Sequence, residues 1–309
     1  MKRILVIRGG AIGDFILTLP AIKLLRDQFP QAHIEILGYT PIIVLAGGRF
    51  YADAIRSIEE RPLAAFFAKD PLLPAELTEY FGSFDLIVSY LFDPDGTFQS
   101  NLNSCRIKML IAGPSKLSGH EHAAFQLARP LDQIGLHLQN PAARIYPTEL
   151  DREFAQDFLA DSRKPVIALH PGSGSKKKNW PIEKWKKLGE HFFSTNRTVL
   201  LISGEADEEC LRLLETAWKG KPVRFAKNLA LPDLAALLER LTFIGHDSGV
   251  SHLAAAAGAR SILLFGPTDP AVWAPANENV TVLQAPEGNL GLLEVDRVIT
   301  TLDGRSPLR

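Results

Sequence analysis

RILVIRGGAIGDFILTLPAIKLL (residues 3–25) passes from a short apolar run through a glycine-rich corner into a long, largely apolar stretch. That succession predicts a strand over 3–8 and a long amphipathic helix from Ile12 to Gln28, the βα unit from which parallel sheets are assembled. Glycine at such a corner supplies positive φ or lets the helix pack closely on the strand. The free amides at the helix N-terminus also suit a phosphate or another anion. As a dinucleotide fingerprint the stretch is defective, because a G-x-G-x-x-G ending at Gly13 would begin at Arg8; the P-loop fails too, since no Gly-Lys-Ser/Thr follows. Asp14, in the first helical turn, is used by neither pattern, and a helix-favouring charge accounts for it when it is taken alone.

The same alternation recurs outward from this unit. HIEILG (33–38) and FDLIVSY (84–90) extend a first series that ends in a helical stretch through FQLARPLDQIG. The polar, proline-bearing segment 138–150 reads as a linker, which sets a first domain at 1–150. The second series runs through PVIALH (165–170), a helix over Trp185–Phe193, TVLLIS (198–203), a helix from Glu205, LTFIG (241–245), a small-residue helix and SILLFG (261–266), giving a second domain at 151–290. The tail, 291–309, carries a helical apolar period and is expected to pack back on the first domain.

A chain of 309 residues that is 46% hydrophobic and 22% charged can bury two cores. Its 34 basic and 35 acidic side chains nearly cancel, so no overall field points to nucleic acid or to an anionic membrane as the main partner. Two cysteines, Cys105 and Cys210, make no disulfide framework and have no metal-ligand spacing, which fits a reducing cytosol. No stretch has the length of a membrane span and the start is not that of a signal peptide, so the expected location is cytoplasmic, with at most peripheral contact at the inner face of the membrane.

Two loops of the second series carry chemistry. HPGSGSKKKNWP (170–181) follows a strand, has small residues that let backbone amides approach a ligand, and offers three lysines before a Trp-Pro corner that opens a helix. Lys176 and Lys177 read as solvated charge; Lys178, beside the corner, is the lysine to set against a phosphate. HDSGVSHLAAAAGA (246–259) reads as a turn and a helix capped by Asp247 or Ser248. A cap alone does not require Gly249, Ser251 and His252, whereas a pyrophosphate at this N-terminus would use the amides of Gly249 to Ser251. His252, one turn in, either faces that ligand or satisfies a buried carbonyl.

Taken in order, IRGGAIGDFILTLPAI (7–22), HPGSGSKKKNWPIEKW (170–185), LISGEADEE (201–209) and FIGHDSGVSHLAAAAGARSILLFGPTDP (243–270) resemble the heptosyltransferases of lipopolysaccharide core assembly, glycosyltransferase family 9. The resemblance implies an α/β GT-B fold: two Rossmann-like, doubly wound domains facing across a cleft, acceptor on the first and nucleotide-sugar donor on the second. It implies Asp14 as catalytic base and Lys178 as phosphate ligand. For the donor it implies Ser173, Gly174, Ser175, Asp247, Ser248, Gly249 and His252, with Glu205 at the ribose and Leu229 near adenine. His246 departs from it, standing where many relatives carry asparagine or another residue.

The implied reaction is inverting transfer of heptose, or a related sugar, from an ADP-sugar to a lipopolysaccharide core or related glycolipid. No cofactor, metal or nucleic acid is called for, and a monomer is the default. A carboxylate takes the acceptor proton, a role worth roughly 10²–10⁴-fold, while preorganised donors meet the departing diphosphate. On the acceptor side Gly10 and Gly13 give access, and the basic residues Arg106, Lys108, Lys116, His120 and His122 suit anionic sugar or lipid phosphates. DPD (93–95) reads as a turn rather than a metal-binding Asp-x-Asp. Two other readings are an NAD(P)-dependent oxidoreductase, for which Glu35 would be the ribose acid, and an inactive nucleotide-sugar binder, which the presence of both Asp14 and Lys178 disfavours.

Overall fold

Alternating apolar strands and helices build two separate parallel sheets in the computed structural model, which describes residues 1–114, 116–204 and 208–304. The chain divides into two units between Ala142 and Ala143. In the first, β1 (Arg3–Arg8), β2 (His33–Gly38), β3 (Ala54–Ser57), β4 (Leu86–Ser89) and β5 (Leu110–Ala112) lie in the order β3-β2-β1-β4-β5, every pairing parallel. In the second, β6 (Val166–His170), β7 (Thr198–Ser203), β8 (Val223–Lys227), β9 (Thr242–His246), β10 (Arg260–Phe265) and β11 (Val280–Gln284) take the order β11-β10-β9-β6-β7-β8, again all parallel.

Each sheet is doubly wound, so each has a topological switch where the strand order reverses: between β1 and β4 in the first, between β6 and β9 in the second. Loops at the carboxyl ends of the two strands flanking a switch diverge to opposite faces and leave a crevice, the usual ligand site of open α/β sheets. Both motif-bearing loops of the second unit, and the glycine corner of the first, follow strands at these switches.

The central strands are buried because both faces are covered. Leu5, Ile7, Leu37 and Ile87 pack with Leu63, Phe66, Phe81, Phe84 and Phe98 in the first unit. Ile167, Leu169, Val199, Leu201 and Ile244 pack with Trp180, Trp185, Leu188, Phe192 and Trp218 in the second.

Three expectations are corrected. Helix Ile12–Gln28 is not amphipathic in its first half, for Phe15 to Ile22 are buried without a break. The unit boundary falls before 150, because Ile145 donates its N–H to the Ala256 carbonyl (2.8 Å) and Asn277 Nδ2 donates to the Ala143 carbonyl (2.8 Å), tying 143–150 to the second unit. Helix Val295–Leu302, expected to return to the first domain, sets Val295, Val298 and Leu302 into the core of the second. Among the described residues no helix is long and apolar enough to cross a membrane.

Candidate active site

In the first unit, β1 ends in Arg8 and the chain turns through Gly9 and Gly10 into helix Ile12–Gln28. Gly10 has φ +92°, and a Cβ there would sit 2.8 Å from Asp14 Oδ2, so glycine is required both by the backbone and by the carboxylate it leaves room for. The N-cap position is Ala11, which has no side-chain acceptor; Asp14 Oδ2 reaches back instead and accepts the Ala11 N–H (2.9 Å).

Beneath this turn lies Arg8, whose guanidinium ties three segments together. Nε donates to Thr18 Oγ1 (2.9 Å), Nη2 to the Asp14 carbonyl (3.1 Å) and Nη1 to the Tyr90 carbonyl just past β4 (3.1 Å). Thr18 Oγ1 itself donates to the Asp14 carbonyl (2.7 Å). Arg8 Nη2 also stands 3.5 Å from Asp14 Oδ1, in a pair whose cation is 11% exposed and whose carboxylate is 43% exposed. Burial lowers the Arg8 pKa from its ordinary value, opposed by the charges of Asp14 and Tyr90. The Tyr90 hydroxyl is pushed up by its own burial, Arg8 opposing.

In the second unit, β6 leads into 171–175 and a single 3₁₀ turn, Lys176–Lys178. Of the three lysines, Lys176 and Lys177 are exposed and Lys178 is half-buried. Lys178 Nζ donates to Asp247 Oδ2 (2.6 Å), which also accepts from Thr268 Oγ1 (2.8 Å). Here the carboxylate is 9% exposed and the cation 31%. Ser248, not Asp247, caps helix Gly249–Ala257, its Oγ accepting the Ser251 N–H (3.4 Å). Ser173 Oγ lies 2.8 Å from the Ser175 carbonyl and 2.6 Å from Asn179 Oδ1, drawing the small-residue loop back on itself. Gly174 is exposed, while Gly249 opens the helix and His252 is buried one turn in.

The structure thus gathers Ser173, Ser175, Lys178, Asp247, Ser248, Gly249 and His252 at the carboxyl edge of β6 and β9. Leu229 follows β8 at the same edge of that sheet, and Glu205 lies outside the described residues. Lys116 and His120 are exposed beyond β5; Gly13 sits in the first turn with Asp14.

Arg106 and Lys108 do not join them. Both precede β5, at the opposite, amino edge of the sheet from Asp14, where Lys108 pairs with Asp85. His122 caps helix Ala123–Ala128, Nδ1 accepting the Ala124 N–H (3.2 Å). Asp93 of DPD accepts the N–H groups of Phe98 (3.2 Å) and Gln99 (2.9 Å), a turn-and-cap role. Glu35 lies in mid-strand, nearly buried, and accepts the Tyr80 hydroxyl (2.6 Å), so it is not the free ribose acid an oxidoreductase needs at a strand end.

Sequence reasoning missed Arg8, Thr18 and Thr268. Arg8 was visible as a charge ending an apolar strand, and it counted only as a broken glycine motif. Thr268, in GPTDP, carried no local signal.

Solved structures share this fold over nearly the whole chain. The glycosyl transferase family 9 protein from Veillonella parvula DSM 2008 has a TM-score of 0.79 at 20% identity, covering 98% of this chain and 96% of that one. The E. coli ADP-heptose lps heptosyltransferase II has a TM-score of 0.76 at 18% identity, covering 98% of both chains. The fold is therefore GT-B, with two Rossmann-like domains, and the class is that of the glycosyltransferases built on it. The model of glycosyltransferase family 9 (heptosyltransferase) matches residues 120–296, more than half of the chain, and the chain belongs to that family. Lipopolysaccharide heptosyltransferase 3 of E. coli strain K12 is 25% identical over 297 aligned residues, covering 87% of this chain and 83% of that relative. Lipopolysaccharide heptosyltransferase 1 of the same strain is 30% identical over 160, half of each chain.

Proposed function

We propose that this glycosyltransferase moves heptose, or a closely related sugar, from an ADP-sugar to a lipopolysaccharide core or related glycolipid acceptor, with inversion at the anomeric carbon and without a divalent metal. The sugar and the acceptor follow the relatives' names, and the ADP follows the name of the E. coli heptosyltransferase II structure. The roles follow from the two charged corners.

In this reading the second unit holds the donor. Its diphosphate lies against Lys178, the amides of Ser173 to Ser175 and the Ser248-capped helix N-terminus, where backbone donors and the helix dipole favour an anion. Asp247 keeps Lys178 in place, Gly249 leaves its amide open, His252 faces the sugar, Leu229 lies near adenine and Glu205 takes the ribose. The first unit holds the acceptor, with Gly10 and Gly13 giving access and Lys116 and His120 meeting its anionic groups. The protein works as a monomer in the cytoplasm, touching the membrane only peripherally.

Asp14 takes the proton of the acceptor hydroxyl as its oxygen attacks the anomeric carbon. The bond from that carbon to the diphosphate oxygen breaks on the opposite face, and the electron pair leaves with the diphosphate. The charge that a metal neutralises in other transferases falls here to Lys178 and to fixed amides.

The observation that carries the reading is Lys178 Nζ, held 2.6 Å from the buried Asp247 beside a helix N-terminus at a topological switch. Asp14→Ala tests it: ADP binding by calorimetry is retained while transfer falls by at least ~10². Undiminished transfer removes Asp14 as base. Transfer that persists in excess chelator supports independence from metal, and its abolition refutes it.

A further inference from the structure

One buried histidine beside the donor loop makes a connection that the proposed roles do not use. His246 ends β9 and is fully buried. Its Nε2 accepts the backbone N–H of Trp180 at 2.8 Å. An N–H donor at Nε2 fixes that nitrogen as an acceptor, which puts the ring proton of the neutral imidazole on Nδ1. Nδ1 faces the Gly172 carbonyl at 3.4 Å. The ring stands edge-on to Trp185, centroids 5.3 Å apart at 84°, and Trp185 packs likewise on Trp180.

Gly172 and Trp180 are the two ends of the loop that contains Ser173, Gly174, Ser175 and Lys178. A single buried side chain therefore bridges the loop at its base, while the loop's interior is polar and half-buried to exposed. The backbone around His246 is tied to the remaining donor groups as well: its carbonyl accepts the Ser251 hydroxyl of the adjoining helix, and its neighbour Asp247 holds Lys178.

We propose that His246 is a positioning residue for donor binding: through Trp180 and Gly172 it holds the 172–180 loop in the form that meets the donor diphosphate. It touches no substrate, and the inference rests on the reading of that loop as the diphosphate site. The loop is closed at its base before the ligand arrives, so the ordering cost is met in folding rather than at binding.

The test uses the full chain, with ADP as probe by calorimetry and steady-state kinetics for donor and acceptor. His246→Phe keeps an aromatic ring on Trp185 and removes both polar contacts, stranding the buried Trp180 N–H. ADP binding is expected to weaken by about tenfold to a hundredfold, with the donor KM rising in step and the acceptor KM changing by less than about twofold. His246→Gln, whose longer amide reaches toward the Nε2 position to accept the Trp180 N–H again, should recover most of the loss. Wild-type affinity in the Phe variant overturns the inference, and so does equal loss in both variants, since restoring the polar contact would then restore nothing. Should the Phe variant fail to fold, nitrogen NMR of the labelled wild-type imidazole decides: the Nδ1–H tautomer supports the bridge, and an Nε2–H tautomer or an imidazolium at neutral pH overturns it. Lys178→Ala separates the two claims. If that variant binds ADP like wild type, the loop is not the donor site and the underlying reading fails; if it binds poorly while His246→Phe does not, only the positioning role falls.

Discussion

Each unit places an ion pair at the switch point of its sheet, and the two pairs are built in opposite senses. In the first, the cation is enclosed and the carboxylate is open, Arg8 at 11% exposure against Asp14 at 43%. In the second, the carboxylate is enclosed and the cation is open, Asp247 at 9% against Lys178 at 31%. In both, the enclosed member is fixed by further hydrogen bonds, Arg8 to two backbone carbonyls and Thr18, Asp247 to Thr268. The open member differs in sign, and with it the chemistry: an open carboxylate can accept a proton, and an open ammonium can meet a phosphate. One device is thus oriented two ways, and under the proposed function the two orientations match the two ends of a glycosyl transfer.

The comparison is broken most directly at Lys178. Lys178→Met should lower kcat/KM by roughly 10²–10³ and weaken ADP binding, and it should also lower Tm, because it leaves Asp247 buried without its cation. Adding Asp247→Asn should restore much of the Tm and none of the transfer. Recovery of both would mean that the pair is structural only.

Gly10→Ala tests the clearance around the other open group. With φ +92° and a Cβ 2.8 Å from Asp14 Oδ2, the methyl displaces the carboxylate. Transfer is expected to fall by roughly 10²-fold with ADP affinity unchanged.

Arg8→Lys sharpens the contrast further. An ammonium cannot span Thr18, the Asp14 carbonyl and the Tyr90 carbonyl together, so kcat should fall by about tenfold while donor KM stays constant. A matching rise in donor KM would show that the two corners are not functionally separate.

The smallest effect is expected away from both switches. Lys108, with the Lys2 and Arg3 amides, holds the Asp85 carboxyl well below the usual carboxylate range. A depressed pKa stabilises the fold above the unfolded value, and that contribution is lost as pH falls toward the folded one. The stability difference between wild type and Asp85→Asn, from urea unfolding, should therefore be steady near neutrality and shrink below about pH 4.

The central strands were legible because a strand buried on both faces must be apolar throughout; RILVIR, HIEILG and TVLLIS agree with β1, β2 and β7 to the residue. The four strands that left no clear signal, β3, β5, β8 and β11, are the four sheet edges. AIRS has no fully buried residue and VRFAK has one, so neither has the continuous apolar run that marks a strand. Glycine spacing and the lysine beside Trp180 pointed to corners that the structure places at the two switch points. What the sequence could not reveal was partnership across the switch, since Lys178 and Asp247 are 69 residues apart and Arg8 and Tyr90 are 82. The second-domain boundary was misjudged for the same reason: Asn277, 134 residues downstream, claims Ala143.

The aromatic residues divide unevenly between the units, and this has an optical consequence. All four tryptophans, Trp180, Trp185, Trp218 and Trp273, belong to the second unit, and four of the five tyrosines, Tyr39, Tyr51, Tyr80 and Tyr90, belong to the first. Excitation at the red edge of the indole band therefore monitors the second unit alone, with two of its emitters packed around His246. Melting of the first unit would pass almost unseen at that wavelength, so a dye-free fluorescence trace and a calorimetric trace of the same sample are two different measurements of this chain.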